Sequence, residues 1–113
     1  MDALAAHPVG TLVRNYPELA KTMDVWIDDE DFWLARTAIL HQLRYKAATD
    51  TDRLFSYVDA RAADTEFFIR KALGWALREY AKVEPDEVAA FVAEREELLS
   101  GLTKREALKH IAR

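Results

Sequence analysis

The stretch Asp31–Arg36 reads DFWLAR, and Glu66–Lys71 reads EFFIRK. The shift between them is about 35 residues (66 minus 31), a period that belongs to helix-pair repeats which stack into α-solenoids. At that shift Arg36 falls on Lys71, Leu40 on Trp75 and Tyr45 on Tyr80. A weaker third copy sets Arg70, Ala72 and Leu73 on Arg105, Ala107 and Leu108. Each repeat is then one helical hairpin, which buries its apolar faces only by stacking on the next. The expected class is all-α: an α-solenoid of HEAT-like helical hairpin repeats, one domain over residues 1–113.

Outward from that core, start and stop signals divide the chain into helices. Pro17 suits the first turn of a helix reaching Ile27. The acidic run Asp28, Asp29, Glu30 and Asp31 suits the positive end of the next, Asp31 to Lys46. Thr49 or Asp50 caps a helix to Ala62, and Asp64 or Thr65 caps one to Lys82. Pro85 opens a helix ending near Ser100 and Gly101. Thr103 and Glu106 have capping-box spacing for a last helix. Residues Ala3 to Asn15 are helical in composition, although Pro8 and Gly10 interrupt them.

With 113 residues, a real core is possible in one domain. Half the residues are hydrophobic and 32% are charged, a globular balance. Three glycines and three prolines leave few tight turns and argue against a many-stranded β fold. The absence of cysteine excludes disulfides and thiolate metal sites. No basic leader opens the chain, and no apolar run approaches the ~20 residues of a membrane span, so a cytoplasmic protein is expected. The net charge of −4 counts against nucleic acid only as a total, because a local basic stripe attracts phosphate on an acidic protein. His7, His41 and His110 lack metal-ligand spacing.

At about 100° per residue, Trp33, Arg36, Thr37, Leu40 and Arg44 share one stripe, while Phe32, Ile39 and Leu43 take a different arc suited to the core. The equivalent stripe one repeat on carries Phe68, Lys71, Ala72 and Trp75, with Arg78 beside it. Basic and aromatic side chains at equivalent positions of stacked repeats would suit a surface that holds a phosphate backbone and a base. Trp33 reads as packing or as contact. Trp75 has both readings open as well, since Gly74 beside it lets another helix approach.

The runs Asp31–Lys46 (DFWLARTAILHQLRYK), Glu66–Lys82 (EFFIRKALGWALREYAK) and Leu102–Ile111 (LTKREALKHI) resemble the DNA alkylation repair family, the AlkD-like DNA glycosylases. The similarity spans nearly the whole chain, and FFIRKALGWALREY is its most specific part. The resemblance implies HEAT-like helix pairs around a concave, positively charged face for double-stranded DNA. It implies excision of cationic 3- and 7-alkylpurines by hydrolysis of the N-glycosidic bond, without metal or cofactor.

On the family pattern Asp2 falls on the catalytic aspartate, Arg36 on the arginine that contacts DNA near the lesion, and Trp75 on an aromatic beside the damaged nucleotide. Lys71 and Trp33 join them as candidate DNA contacts. The family's other aromatic, one turn before the aspartate, has no counterpart here. Members are about twice this length, so the chain corresponds to their C-terminal half. Two other readings stand beside the glycosylase: a non-catalytic DNA-binding module, and a helical-repeat scaffold for protein partners. An uncapped first repeat also predicts a homodimer through the N-terminal end of the array, near Leu4, Leu12, Val13 and Leu19.

Overall fold

The structure, a computed structural model, describes the backbone of residues 2–43 and 45–109, and the side chains of 9–43, 45, 46 and 48–109. Among the described residues it is all helical: α1 (Asp2–Asn15), α2 (Ala20–Trp26), α3 (Phe32–Leu40), α4 (Thr51–Arg61), α5 (Phe67–Ala81), α6 (Pro85–Glu94) and α7 (Gly101–Ala107). Short 3₁₀ turns at Pro17–Leu19 and Lys46–Ala48 complete the path. The fold is an α-helical repeat in two layers. α1, α3, α5 and α7 pack side by side, while α2 covers α3, α4 touches α3 and α5, and α6 backs α5 and α7.

The repeat period survives at the helix starts. Phe32 and Phe67 open α3 and α5 at 35 residues' separation (67 minus 32). Each is preceded by an acidic cap: Asp31 accepts from the Trp33 amide at 2.9 Å, and Glu66 from the Phe68 amide at 3.4 Å. These carboxylates satisfy amides that have no partner within the helix and sit at the positive end of its dipole. The third copy comes one residue sooner, since Gly101 follows Phe67 by 34 (101 minus 67). In that register Thr103 and Ala107, the buried residues of α7, fall on Ile69 and Leu73, which are fully buried in α5.

Several boundaries differ from those read in the sequence. α3 stops at Leu40 and not at Lys46, because the chain turns where other bonds compete with the helix. His41 Nδ1 lies 2.7 Å from the Ala38 carbonyl, and the Gln42 amide exchanges two hydrogen bonds with the Asp50 backbone. Lys46 then takes φ 53°, in the left-handed region that a right-handed helix cannot use. Asp64 does not cap α5: it accepts from the Glu66 amide and pairs with Arg61, leaving the cap to Glu66. Thr103 does not cap α7 either. Ser100 does, accepting from the Thr103 amide at 3.1 Å, while the Thr103 hydroxyl donates to the Arg70 carbonyl at 3.0 Å and ties α7 to α5. α6 ends at Glu94, before the expected Ser100.

The core runs between the layers through Ile39, Leu54, Val58, Ile69, Leu73, Leu77, Val88 and Val92, each 2% exposed or less. Each such side chain contributes on the order of 1.5–3 kcal/mol by leaving water. Ile39 is core as its arc required, and Phe32 and Leu43 pack partly buried against it. Leu40, Thr37 and Ala72, read as members of a contact stripe, are buried. α3 and α5 lie inside the layer with a helix on either side, so the apolar arc each must bury is wider than a helix at an edge would need.

Candidate nucleic-acid interface

Two consecutive aromatics follow each acidic cap: Phe32 and Trp33 on α3, Phe67 and Phe68 on α5. Because the two helices pack with their first turns adjacent, the four rings meet. Phe32 stacks on Phe68 with centroids 5.8 Å apart and planes within 7°, Trp33 lies 4.6 Å from Phe32 and 5.8 Å from Phe68, and Phe67 sits edge-on to Phe68 at 5.4 Å. Trp33, Phe67 and Phe68 remain 45%, 53% and 40% exposed. An exposed cluster of that size offers flat apolar faces to a sugar or base.

Arg36 stands one turn along α3, only 5% exposed, its guanidinium carbon 5.8 Å from the Phe68 centroid. Arg36 and Trp33 are thus brought together with Phe68, as their shared stripe implied. Lys71, the sequence equivalent of Arg36, is exposed. At the Phe68-equivalent place α7 has Leu102 or Thr103, so no described aromatic of α7 covers it the way Phe68 covers Arg36.

Trp75 lies one further turn along α5, half-buried and away from the ring cluster. It lines a cavity of about 180 Å³ with Leu43, Lys46 and Glu79. Asp2 opens α1, but its side chain lies outside the described residues, as do Arg44, His110 and the side chains of Leu4 and His7. Phe67 and Lys46 escaped the sequence reading. Phe67 was legible as the repeat partner of Phe32, whereas nothing in the sequence around Lys46 announces a left-handed backbone.

The layers differ in charge. α3 contributes Arg36; α5 carries Arg70, Lys71 and Arg78 against Glu79; α7 carries Lys104 and Arg105 against Glu106. These three helices are therefore net +1, +2 and +1. In the same layer α1 is neutral, with Asp2 offsetting Arg14, and the caps Asp31 and Glu66 each take back one charge, which leaves the layer at +2 (4 minus 2). In the other layer α2 balances Lys21 with Asp24, α4 balances Arg53 and Arg61 with Asp52 and Asp59, and α6 holds Asp86, Glu87 and Glu94 with no basic residue. A cleft of about 580 Å³ between α2 and α4 is lined by Asp24, Asp28, Asp50, Asp52 and Arg53. The chain's net −4 thus coexists with a basic, aromatic layer.

Not all these cations face solvent alone. Arg78 pairs with Glu106 at 3.3 Å, Lys104 with Glu96 at 3.0 Å, and Arg53 grips Asp24 through two nitrogens at 2.9 and 3.0 Å. That grip, with a further bond from Tyr57, holds the Asp24 carboxyl below its ordinary value; burial and the facing carboxylate push the Tyr57 phenol up.

A family model described as DNA alkylation repair enzyme matches residues 1–111. Among solved structures, one from Enterococcus faecalis, described as a predicted DNA alkylation repair enzyme, is similar with a TM-score of 0.83 and 34% identity. The match covers 93% of this chain and 49% of that one, so the chain spans about half the length of that relative. No curated protein matches. Among the described residues no helix is long and apolar enough to cross a membrane.

Proposed function

We start from the fact that this chain belongs to the DNA alkylation repair enzyme family, and we propose that it acts on double-stranded DNA as an alkylpurine glycosylase. The observation that carries this reading is the segregation of charge. The layer holding Arg36 and Lys71 is basic and bears the exposed aromatics, whereas the layer behind it is neutral to acidic. A duplex is a polyanion with apolar sugar and base faces, and this layer suits both.

The reaction is hydrolysis of the N-glycosidic bond of a cationic 3- or 7-alkylpurine. The bond from C1′ to the purine breaks, its electron pair leaves with the base and cancels the base's positive charge, and water adds to C1′ after losing a proton. As the base departs, the sugar takes on oxocarbenium character. Asp2 is the carboxylate assigned to oppose that charge and to receive the water's proton. Arg36 would hold a flanking phosphate, the face of Trp75 would attract the cationic nucleotide, a contact worth ~0.5–2 kcal/mol, and Trp33, in the separate ring cluster, would meet the strand elsewhere.

Release of 7-methylguanine from methylated duplex DNA tests the reading, with Asp2→Asn and Arg36→Ala alongside. Release that Asp2→Asn abolishes supports it. A folded chain that binds duplex DNA and releases no base would instead be a DNA-binding module.

The chain acts as one domain over residues 1–113. It pairs with a second copy through its first two helices, where Leu12 and Tyr16 are 50% and 53% exposed and Val25 is 68% exposed. Val13 takes no part in that contact: it is 5% exposed and belongs to the core, because its side of α1 packs on α3. Leu19 is half-buried. Light scattering at micromolar concentration tests the dimer, and a monomer would exclude it.

A further inference from the structure

The region where α3 ends holds a feature the family resemblance did not single out. Lys46 has φ 53°, and it is the one non-glycine residue among those described with a positive φ. A side chain in this region strains the backbone, which glycine would not. Such outliers gather at binding and catalytic sites. Here the outlier stands at a cavity: Lys46 lines the 180 Å³ hollow with Trp75, Leu43 and Glu79, and a narrower crevice continues from it past Thr49 to Tyr80. Glu79 is engaged by Lys82 at 3.0 Å, and Lys46 forms no ion pair with any described residue.

We propose that Lys46 extends the nucleotide contact that the family resemblance assigns to Trp75, its ammonium taking the phosphate that adjoins the sugar or base faced by the indole. The inference rests on the DNA reading above and deepens it. The pairing follows from chemistry: an aromatic wall and an exposed ammonium at one hollow match the two halves of a nucleotide. Size argues for a strand over a free small molecule. Pockets that enclose a whole ligand run to roughly 300–1,000 Å³, so this hollow admits only part of a polymer. The left-handed turn is the device that places Lys46 there, since a continued α3 would carry residue 46 along the helix axis.

Lys46→Gly separates this role from a structural one. Glycine relieves the strained φ while removing the ammonium, so melting temperature should rise by a few degrees as DNA affinity falls. Losing one phosphate contact should weaken binding to a methylated duplex ~8-fold near 0.1 M salt and reduce the slope of log K against log salt by ~0.9. Lys46→Arg should keep the slope, and Trp75→Leu should weaken binding without changing it. Inorganic phosphate should compete only as far as its ionic strength dictates.

Equal affinity and slope in Lys46→Gly and the unaltered chain would overturn the subsite while leaving the DNA reading intact. Specific displacement by phosphate would overturn the strand as its ligand. An unaltered chain that binds no duplex would overturn both.

Discussion

The Arg36 guanidinium carbon lies 5.8 Å from the centroid of the Phe68 ring, one repeat away in sequence and one helix away in space. The contact joins α3 to α5 at the edge of the exposed ring cluster, and Phe68 is itself stacked on Phe32. Arg36 is thereby held by packing as well as by charge. A cation so placed is pre-oriented before any phosphate arrives, which lowers the ordering cost of binding.

Arg36→Met should keep much of the side chain's apolar packing and lose the cation. The expected cost is about 1–2 kcal/mol in urea unfolding, with Phe68→Leu costing a similar amount. The double variant should fall short of additivity by ~0.5–1 kcal/mol. Full additivity would mean that the two side chains do not interact.

The division of charge between layers predicts a contrast between two exposed lysines. Lys71→Ala, on α5, should lower the salt slope of duplex binding by ~0.9. Lys21→Ala, on α2 in the opposite layer, should leave it unchanged. Equal effects would mean that DNA does not choose the basic layer.

Two glycines mark where helices approach too closely for a Cβ. At Gly10 an added Cβ would stand 2.3 Å from the His41 carbonyl oxygen, and at Gly74 it would stand 2.5 Å from the Glu106 Cβ and 3.1 Å from the Thr103 carbonyl. Backbone cannot swing aside as a side chain can, so Gly10→Ala should cost ~3 kcal/mol. Gly74→Ala should cost ~1–2 kcal/mol, because alanine's better helix propensity returns up to ~1 kcal/mol. Chemical denaturation ranks the two, and a reversed order would contradict the packing.

His41 sets a pH dependence. It is 3% exposed beneath the α1–α3 contact, beside the Tyr45 and Tyr57 rings, and burial pushes its pKa below the ordinary 6.5 although the Ala38 carbonyl opposes the shift. Arg53 also lowers it, while Asp24 and Asp50 pull the other way. Below about pH 6.5 the unfolded chain takes up a proton that the folded chain resists, so stability declines as pH falls through that range. Urea midpoints at pH 7.5 and pH 5.5 should differ for the native chain and differ less for His41→Asn. An unchanged difference would assign the titration elsewhere.

Much of the fold could be read from residue order. The 35-residue recurrence of Asp31-Phe32-Trp33 as Glu66-Phe67-Phe68 marked the same helix phase in α3 and α5, because helical period is a local property, although the α5 cap reads as Asp64 or Thr65 in the sequence and is Glu66. Asp50 and Pro85 marked α4 and α6 for the same reason. The shared stripe of Trp33 and Arg36 was equally visible, and so was the likeness to a repair family.

What the sequence could not settle depended on which helices become neighbours. Leu40, Thr37 and Ala72 left the stripe for the core because a helix flanked on both sides buries a wider arc than period alone indicates. Arg36 and Lys71 are equivalents by position yet differ in burial, since Phe68 covers one and α7 offers the other no ring. Lys46 reaches the Trp75 hollow only through a left-handed turn made where Gln42 and Asp50 bond across the chain. Local propensity determined the helices. Long-range packing and competing hydrogen bonds decided which of their residues face one another, and so where a site can form.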